Sequence, residues 1–409
     1  MTSENAKSFD VLIVGAGPAG SFAAELLAKN NVKVALFDGR LPNEAKPCGG
    51  GVTSKALKIY PQLFEATGRK IEDLEMFAPS GRRLYLKLDE PFLIYARTVF
   101  DDFLRARAER AGATVFHEKV RLANNAENEF WTLRSYGKND YANEFSGKFL
   151  IAADGANSAI AKRLSGALAK DEMEVAFGYR IPFFDNREQT TIIAFLPFFA
   201  GYAWAFPRTD HTSFGIATTQ NAFNHEQLDN LLWRFIVGCH RQQTNRNASI
   251  WQDLNQSENA ELKRELQSKA ARYAARIPGL AAETLDTRRT CGKNWATLGD
   301  AAGFADAVTG EGIYYALRSA ELFAENYLKG APENYEAAWR EDFGAELRRA
   351  ATMRRRFYGN FFGAQFTERM IQFARVHGGI KRTLRELVAG EQGYIGLKQK
   401  LAKRALLPF

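Results

Sequence analysis

The sequence predicts an α/β chain, α+β overall, in which a parallel βαβ unit comes first, an antiparallel sheet follows and helices close the chain. Three observations predict it. Residues 10–15 (DVLIVG) form a short apolar run ending in glycine, as expected of a strand buried on both faces. Buried runs recur at 148–153 (KFLIAA), followed at once by Asp154-Gly155, and at 294–299 (NWATLG). Between them, residues 174–219 are β-rich and aromatic, whereas residues 224–275 read as helical and polar.

The remaining elements follow in order. Residues 18–29 carry apolar side chains at helical spacing, and residues 32–37 (VKVALF) make a second strand that closes at Asp38. A loop rich in Gly, Pro and Lys runs from Gly39 to Gly51. Residues 98–111 form a helix with Phe100, Leu104 and Ala108 on one face, and 113–120 a strand. Residues 311–328 are helical, as is most of the chain from there to 405. A length of 409 residues suits two or three structural regions.

Composition excludes several function classes. Apolar residues are 46% and charged residues 25%, the balance of a soluble globular protein. No segment approaches the roughly 18 consecutive apolar residues of a membrane span, and the opening MTSENAKSFD lacks the basic and apolar regions of a signal peptide, so a cytoplasmic location, peripheral at a membrane or not, is expected. Cys48, Cys239 and Cys291 are too few for a four-thiolate metal site and too scattered for a disulfide framework. His117, His211, His225, His240 and His377 show no paired metal-ligand spacing; His211 reads as a turn residue. No GxSxG elbow supports a hydrolase. The net charge is +8, and residues 340–409 hold 15 Lys+Arg against 6 Asp+Glu. That tail reads either as a solvated helical surface or as a contact for an anionic membrane surface. Nucleic acid is not expected, since no recognised binding motif accompanies the charge.

The strongest local signal is Gly15, Gly17 and Gly20, a GxGxxG between a strand and a helix. The first glycine permits the tight turn, the second a close approach of backbone to pyrophosphate, and the third close helix–strand packing. The helix N-terminus offers free N–H groups to phosphates. Asp38, 23 residues after Gly15, stands where an acid accepts hydrogen bonds from ribose hydroxyls. These residues alone suit NAD as well as FAD.

Further segments carry a resemblance. GAGPAG with Asp38, ADGANS with Asp154-Gly155, and LGDAAGFADAVTGEGI with Gly299-Asp300 occur in the order found in FAD-dependent oxidoreductases of the p-hydroxybenzoate hydroxylase type. The chain resembles that group over roughly residues 8–330, and within it looks most like the geranylgeranyl reductase family. The resemblance implies a Rossmann-like FAD-binding domain from 1–75, 97–172 and 285–330, an antiparallel-sheet substrate domain from 76–96 and 173–284, and a basic helical region over 331–409. It implies that Asp300 meets the ribityl chain and flavin-side pyrophosphate, and that Gly310 and Gly312 open a helix, beginning near Ile313, toward the flavin. Buried carboxylates such as Asp300 need donors, and ribityl hydroxyls supply them. By the same resemblance Arg97 meets the pyrophosphate region and the backbone of Val120, ending its strand, meets the adenine; Pro18, Ala19, Gly39 and Arg40, with Cys48, Gly49 and Gly50, complete the cofactor set.

Two segments narrow the resemblance. Lys46-Pro47-Cys48-Gly49-Gly50-Gly51 looks like the PCGG motif of geranylgeranyl reductases, where consecutive glycines let backbone lie against a planar ring. Cys48 would then be a proton donor, a redox-sensitive thiol or a small packed residue. Tyr202-Ala203-Trp204-Ala205-Phe206-Pro207 with Gly215-Ile216-Ala217 resembles the YxWxFP…GxG pattern of the family's substrate domain. Strand alternation puts Tyr202, Trp204 and Phe206 on one face, either lining a long apolar cavity or filling ordinary core. The upstream run Phe195–Phe199 adds apolar surface to such a pocket. The chain departs from the pattern at Ala217 (glycine preferred), at Ala307 (often proline) and at Asp38 (commonly Glu), which bears more on the substrate than on FAD.

The reading is an FAD-dependent enzyme that passes a hydride from reduced flavin to carbon–carbon double bonds of a prenyl, geranylgeranyl-type lipid, with Cys48, Tyr202 or water as the acid. No second GxGxxG unit serves NAD(P)H, so the donor binds transiently or is a protein such as a ferredoxin. Two other readings stand beside it: a flavin monooxygenase acting on an aromatic or other apolar compound, which shares the fold, and a non-catalytic flavin-containing carrier or membrane-associated partner protein.

Overall fold

A computed structural model describes residues 7–40, 48–123, 130–136, 143–183, 190–219 and 223–405. Lys46 and Pro47 of the PCGG-like loop lie outside the described residues. The chain divides into two compact units: residues 1–45, 98–172 and 277–351, and residues 46–97, 173–276 and 352–409.

The first unit is built on an eight-stranded sheet. Its parallel part runs Trp295–Thr297, Glu144–Ala152, Lys7–Val14, Val34–Phe37 and Thr114–Phe116, in that spatial order. The apolar runs lie where they do because strands covered on both faces offer no position to a polar side chain. Val11 through Val14 and Val34 through Phe37 are all buried. Phe37 packs against Phe116 and Phe145 in a cluster that also holds Trp131, Leu133 and Trp295. The helices Pro18–Ala28 and Ile313–Leu328 belong to this unit. The first is joined to Arg97–Arg110 by buried Glu25, which accepts hydrogen bonds from Arg107 at 2.8 and 3.0 Å.

The second unit is a mixed sheet whose strands follow the order Ala271–Pro278, Met173–Pro182, His211–Thr219, Gly201–Pro207, Ile192–Ala194, Gly68–Phe77, Arg83–Tyr95 and Gly51–Val52. Most of its pairs are antiparallel; Ile192–Ala194 runs parallel to Gly68–Phe77. The helices His225–Thr244 and Ser257–Lys269 cover one face. Phe177, Ala203, Ala205, Phe214 and Ile216 of the sheet and Trp233, Phe235 and Ile236 of the longer helix form the core between them. A capping box at Asn224 and Gln227 fixes the start of the longer helix.

Several boundaries differ from expectation. Residues 46–75 go with the second unit, because Gly68–Phe77 pairs with Arg83–Tyr95 in its sheet. Residues 271–278 form an edge strand instead of continuing the helical stretch, since only Tyr273 and Pro278 are fully buried there and the alternation is masked by alanine and arginine. The helical tail is divided, residues 331–351 going with the first unit and 352–409 with the second. A short hairpin, Asn360–Phe361 with Ala364–Gln365, interrupts its helices. No helix among the described residues is long and apolar enough to cross a membrane.

Candidate functional site

In the first unit the glycine turn is forced by contacts with the backbone. Gly15 has φ +106°, and a Cβ there would lie 2.4 Å from the carbonyl oxygen of Ala153. A Cβ on Gly20 would lie 1.9 Å from the carbonyl oxygen of Gly15. Gly17 caps the helix without a side chain, and Pro18 takes the first helical position, where its missing N–H costs nothing. Gly15 and Gly17 remain partly exposed while Ala19 and Gly20 are buried, so backbone rather than side chain faces outward at the helix N-terminus.

Asp38 ends the second strand and is buried. Its Oδ1 accepts from the Arg40 backbone N–H at 3.2 Å and Arg40 Nε at 2.9 Å; its Oδ2 accepts from Arg40 Nη2 at 2.9 Å and Arg105 Nη1 at 2.5 Å. Burial pushes this carboxyl up, but the Arg40 hydrogen bonds and charge, joined by Arg105, outweigh burial and hold it below the ordinary carboxylate value. Arg40 also donates to Asp101 at 2.7 Å. Four bonds fill the acceptor positions of a carboxylate, so a ribose hydroxyl can bond to Asp38 only if a guanidinium contact yields. Sequence reasoning missed Arg105 and Asp101; their one signal is an i, i+4 pair on the helix that begins at Arg97.

Gly39 lies against the backbone of Lys119, 3.2 Å from a Cβ placed on the glycine to Lys119 Cα. Val120 does not end the edge strand of the parallel sheet; that strand stops at Phe116, and Val120 opens Val120–Leu122, paired with Ser135. A run of three polar residues, His117 to Lys119, breaks the strand between them. Arg97 is buried and is the first residue of its helix.

At the other end of the sheet, Gly299 (φ +56°) packs between two helices, where a Cβ would sit 3.1 Å from Ala19 and 3.2 Å from Ala316. Asp300 is half-buried, less enclosed than expected, and no hydrogen bond to its carboxylate forms among the described residues. A Cβ on Gly312 would come 2.8 Å from Asp300 Oδ1, so the glycine brings that oxygen to the N-terminus of the helix beginning at Ile313. The turn before it is organised by Asp306, which accepts from the N–H groups of Val308 and Thr309 at 2.8 and 2.9 Å and whose backbone carbonyl accepts from Gly310. An open backbone turn, a helix N-terminus and an unengaged carboxylate match the pyrophosphate and polyol parts of FAD. Asp154 is exposed in surface area, yet crowding by protein lifts its carboxyl to about 6 against an opposing bond from Ser158. Gly155 has φ +89° and open space around it.

The second unit gathers the other predicted residues. Tyr202, Trp204 and Phe206 do share one face, with ring centroids 5.8 and 6.3 Å apart along the strand. Register places Trp204 opposite Gly215, and Gly215 opposite Gly178. The indole lies on Gly215, whose Cβ would fall 2.1 Å from Trp204 Cζ2; the Tyr273 ring lies on Gly178, at 2.4 Å. Tyr273 donates to the Phe214 carbonyl at 2.9 Å and bonds with Ser213 at 2.8 Å. Two aromatic rings are thus laid flat over two cross-strand glycines. Neither Gly178 nor Tyr273 was anticipated, because their role exists only once the register is known.

The Cys48–Gly50 segment rests on the same face. A Cβ on Gly49 would lie 3.1 Å from the Phe206 ring, and Gly50 has φ +75° with its carbonyl accepting from the Tyr95 N–H. Arg208, next in the alternating row after Phe206, is 5% exposed and donates to the Cys48 carbonyl at 2.6 Å. No carboxylate among the described residues pairs with it. Pro207 ends the strand opposite Thr212. His211 is half-buried rather than a free turn residue: its backbone carbonyl accepts from Arg208, and its Nδ1 bonds to Asp210 at 2.7 Å. Burial, assisted by Arg208, lowers its pKa against the opposing Asp210. Of the upstream phenylalanines, Phe195 and Phe199 are buried but Phe198 is 89% exposed, so Phe198 adds nothing to a pocket. Cys239 and Cys291 are buried, burial pushing the latter up to about 12, whereas Cys48 is half-buried. No metal-ligating cluster occurs among the described residues.

Comparison with known proteins adds to this geometry. Residues 8–313 match the family model described as FAD binding domain. The chain is 29% identical over 341 residues to the geranylgeranyl diphosphate reductase of Synechocystis sp., covering 78% of this chain and 75% of the relative. It is 28% identical over 350 residues to the chloroplastic geranylgeranyl diphosphate reductase of Arabidopsis thaliana, covering 78% and 66%. Its fold is shared with a geranylgeranyl bacteriochlorophyll reductase-like protein from Thermoplasma acidophilum, at a TM-score of 0.72, 21% identity, and coverage of 97% and 99%.

Proposed function

This chain belongs to the geranylgeranyl reductase family of FAD-dependent oxidoreductases, and from that premise we propose that it reduces carbon–carbon double bonds of a prenyl lipid. The observation that carries the proposal is the aromatic row Tyr202–Trp204–Phe206, floored by glycine and bordered by the Cys48–Gly49 backbone. An aromatic row of this kind, half-buried at Tyr202 and Phe206, suits an extended chain with no polar group to pair along its length. FAD, when bound, supplies the hydride chemistry. It would be held by Gly15, Gly17, the N-terminus at Pro18, and Asp300 beside Gly312. The protein's own part is to hold the chain against the aromatic row, keep water out and deliver a proton.

Cys48 and Tyr202 are the side chains proposed for the proton. Cys48→Ser and Tyr202→Phe should each be assayed with the flavin already reduced, so that loss of proton delivery is separated from loss of flavin. The electron donor is proposed to be NAD(P)H binding transiently, or a ferredoxin, to be distinguished by which of them reduces the bound flavin.

The test is anaerobic. The FAD-loaded protein is reduced with dithionite, freed of excess, and mixed with geranylgeranyl diphosphate. Flavin should reoxidise without oxygen while the lipid gains two hydrogens per bond. Substrate-dependent reoxidation only in air, with oxygen entering the product, would identify a monooxygenase instead.

A further inference from the structure

Two loops of the second unit expose aromatic side chains that burial would favour. Phe198 is 89% exposed and Phe362 78%, and Phe361 beside it is 42% exposed. Phe198 and Phe362 also hold left-handed backbone, at φ +54° and +47°, which a bulky residue rarely adopts. Exposure and strain on the same side chains are unexplained by folding.

The loops are fastened together. The Phe198 N–H donates to Gln365 Oε1 at 2.9 Å, and Gln365 Nε2 donates to the Leu196 carbonyl at 3.3 Å. Beneath them Phe195 meets Phe357 at 6.0 Å, and Phe357 meets Phe366 at 5.6 Å. The apolar edge then continues along the helix Phe366–Val376, where Phe373 is 44% and Val376 69% exposed. Arg369, Phe373 and Val376 stand at i, i+4 and i+7 on one helix face.

The hairpin and the helices that flank it in sequence carry mainly positive charge. Arg369 donates to the Phe362 carbonyl at 2.8 Å. Arg355 and Arg356 end the helix that leads into the hairpin, are exposed, and have no ion pair among the described residues. The one acid between residues 350 and 380, Glu368, is taken up by Ser80 and by Arg82 at 2.5 Å. A cluster of exposed phenylalanines on paired loop tips, ringed by unneutralised arginine, complements the headgroup region of an anionic bilayer.

We propose that Phe198, Phe361 and Phe362 insert into an anionic lipid surface, with Arg355, Arg356 and Arg369 engaging its headgroups. This goes beyond the reaction proposed above and does not depend on it. The FAD-loaded protein is sedimented with vesicles of phosphatidylcholine, alone or mixed with phosphatidylglycerol, at low and high salt. The native chain should bind the anionic vesicles, and salt should weaken binding. The variant Phe198→Ser/Phe361→Ser/Phe362→Ser should bind at least tenfold more weakly at either salt. Arg355→Gln/Arg356→Gln should lose about fivefold for each arginine on anionic vesicles, and its binding should become less sensitive to salt. Flavin content and anaerobic turnover of dispersed geranylgeranyl diphosphate serve as controls for folding and are expected to be unchanged. Undiminished vesicle binding by the phenylalanine variant, or none by the native chain at low salt, would overturn the proposal. So would a native dimer that the phenylalanine substitutions dissolve, because the patch would then be a subunit interface.

Discussion

The two units use glycine for opposite purposes. In the nucleotide-binding unit, Gly15 and Gly20 serve the backbone: one takes a left-handed φ, and both sit where a Cβ would strike a carbonyl of the same turn or its neighbour. In the second unit, Gly215 and Gly178 lie in ordinary strands, and what they admit is a ring from another strand, Trp204 or Tyr273. The first use packs backbone on backbone, the second backbone on a ring. A substitution at the first kind should therefore abolish a binding site, whereas one at the second should reshape a surface.

The largest effect is expected from Gly20→Ala. Its methyl group has no room beside the Gly15 carbonyl, so the helix must shift away from the turn. A cost of about 2–3 kcal/mol, or roughly 100-fold in flavin affinity, is expected, measured as bound flavin per chain. Gly215→Ala should act on the other unit. Tilting the Trp204 indole off the sheet should lower prenyl turnover by about tenfold and stability by ~1–3 kcal/mol, with flavin content retained. Equal loss of flavin in both variants would erase the distinction.

This contrast also explains what could be read in advance. GxGxxG and Gly299-Asp300 are legible because the residue types and spacing of one short segment carry each, and the buried strands because each is a continuous apolar run. The shared face of Tyr202, Trp204 and Phe206 follows from strand alternation alone. Gly178 and Tyr273 were not legible, since their partners are set by the register of separate strands, nor was Arg208, whose partner is a loop carbonyl 160 residues away. Val120 was misplaced for a related reason: three polar residues end one strand early and a new one begins. Asp38 was singled out from the sequence, but not the guanidinium of Arg105 that bonds to it, which comes from a helix 67 residues further on.

Acid titration sharpens the comparison at the charged end of the first unit. Asp38 has a lowered pKa, so it contributes stability above the ordinary value of 3.8 and loses that contribution as pH falls through its lowered folded value. Asp38→Asn should therefore lower the melting temperature at neutral pH, and its deficit against the native chain should close in strong acid. Asp154 runs the other way. With its carboxyl raised to about 6 from 3.8, its ionisation disfavours the flavin-free fold above pH 6, and the penalty is gone below 3.8. Asp154→Asn should give the smallest effect, a slight stabilisation of the flavin-free protein at neutral pH that fades on acidification. A stabilisation that persists in acid would show that ionisation is not its cause.

The saturated Asp38 carboxylate has a kinetic consequence. An acid already holding four donors is a latch closed before the cofactor arrives, so docking of the adenosine end is an exchange of partners. Speed of loading and tightness of the final complex then answer to different residues. Removing one clasp with Arg105→Gln should hasten flavin uptake while leaving the pyrophosphate turn, and most of the retention, as they are.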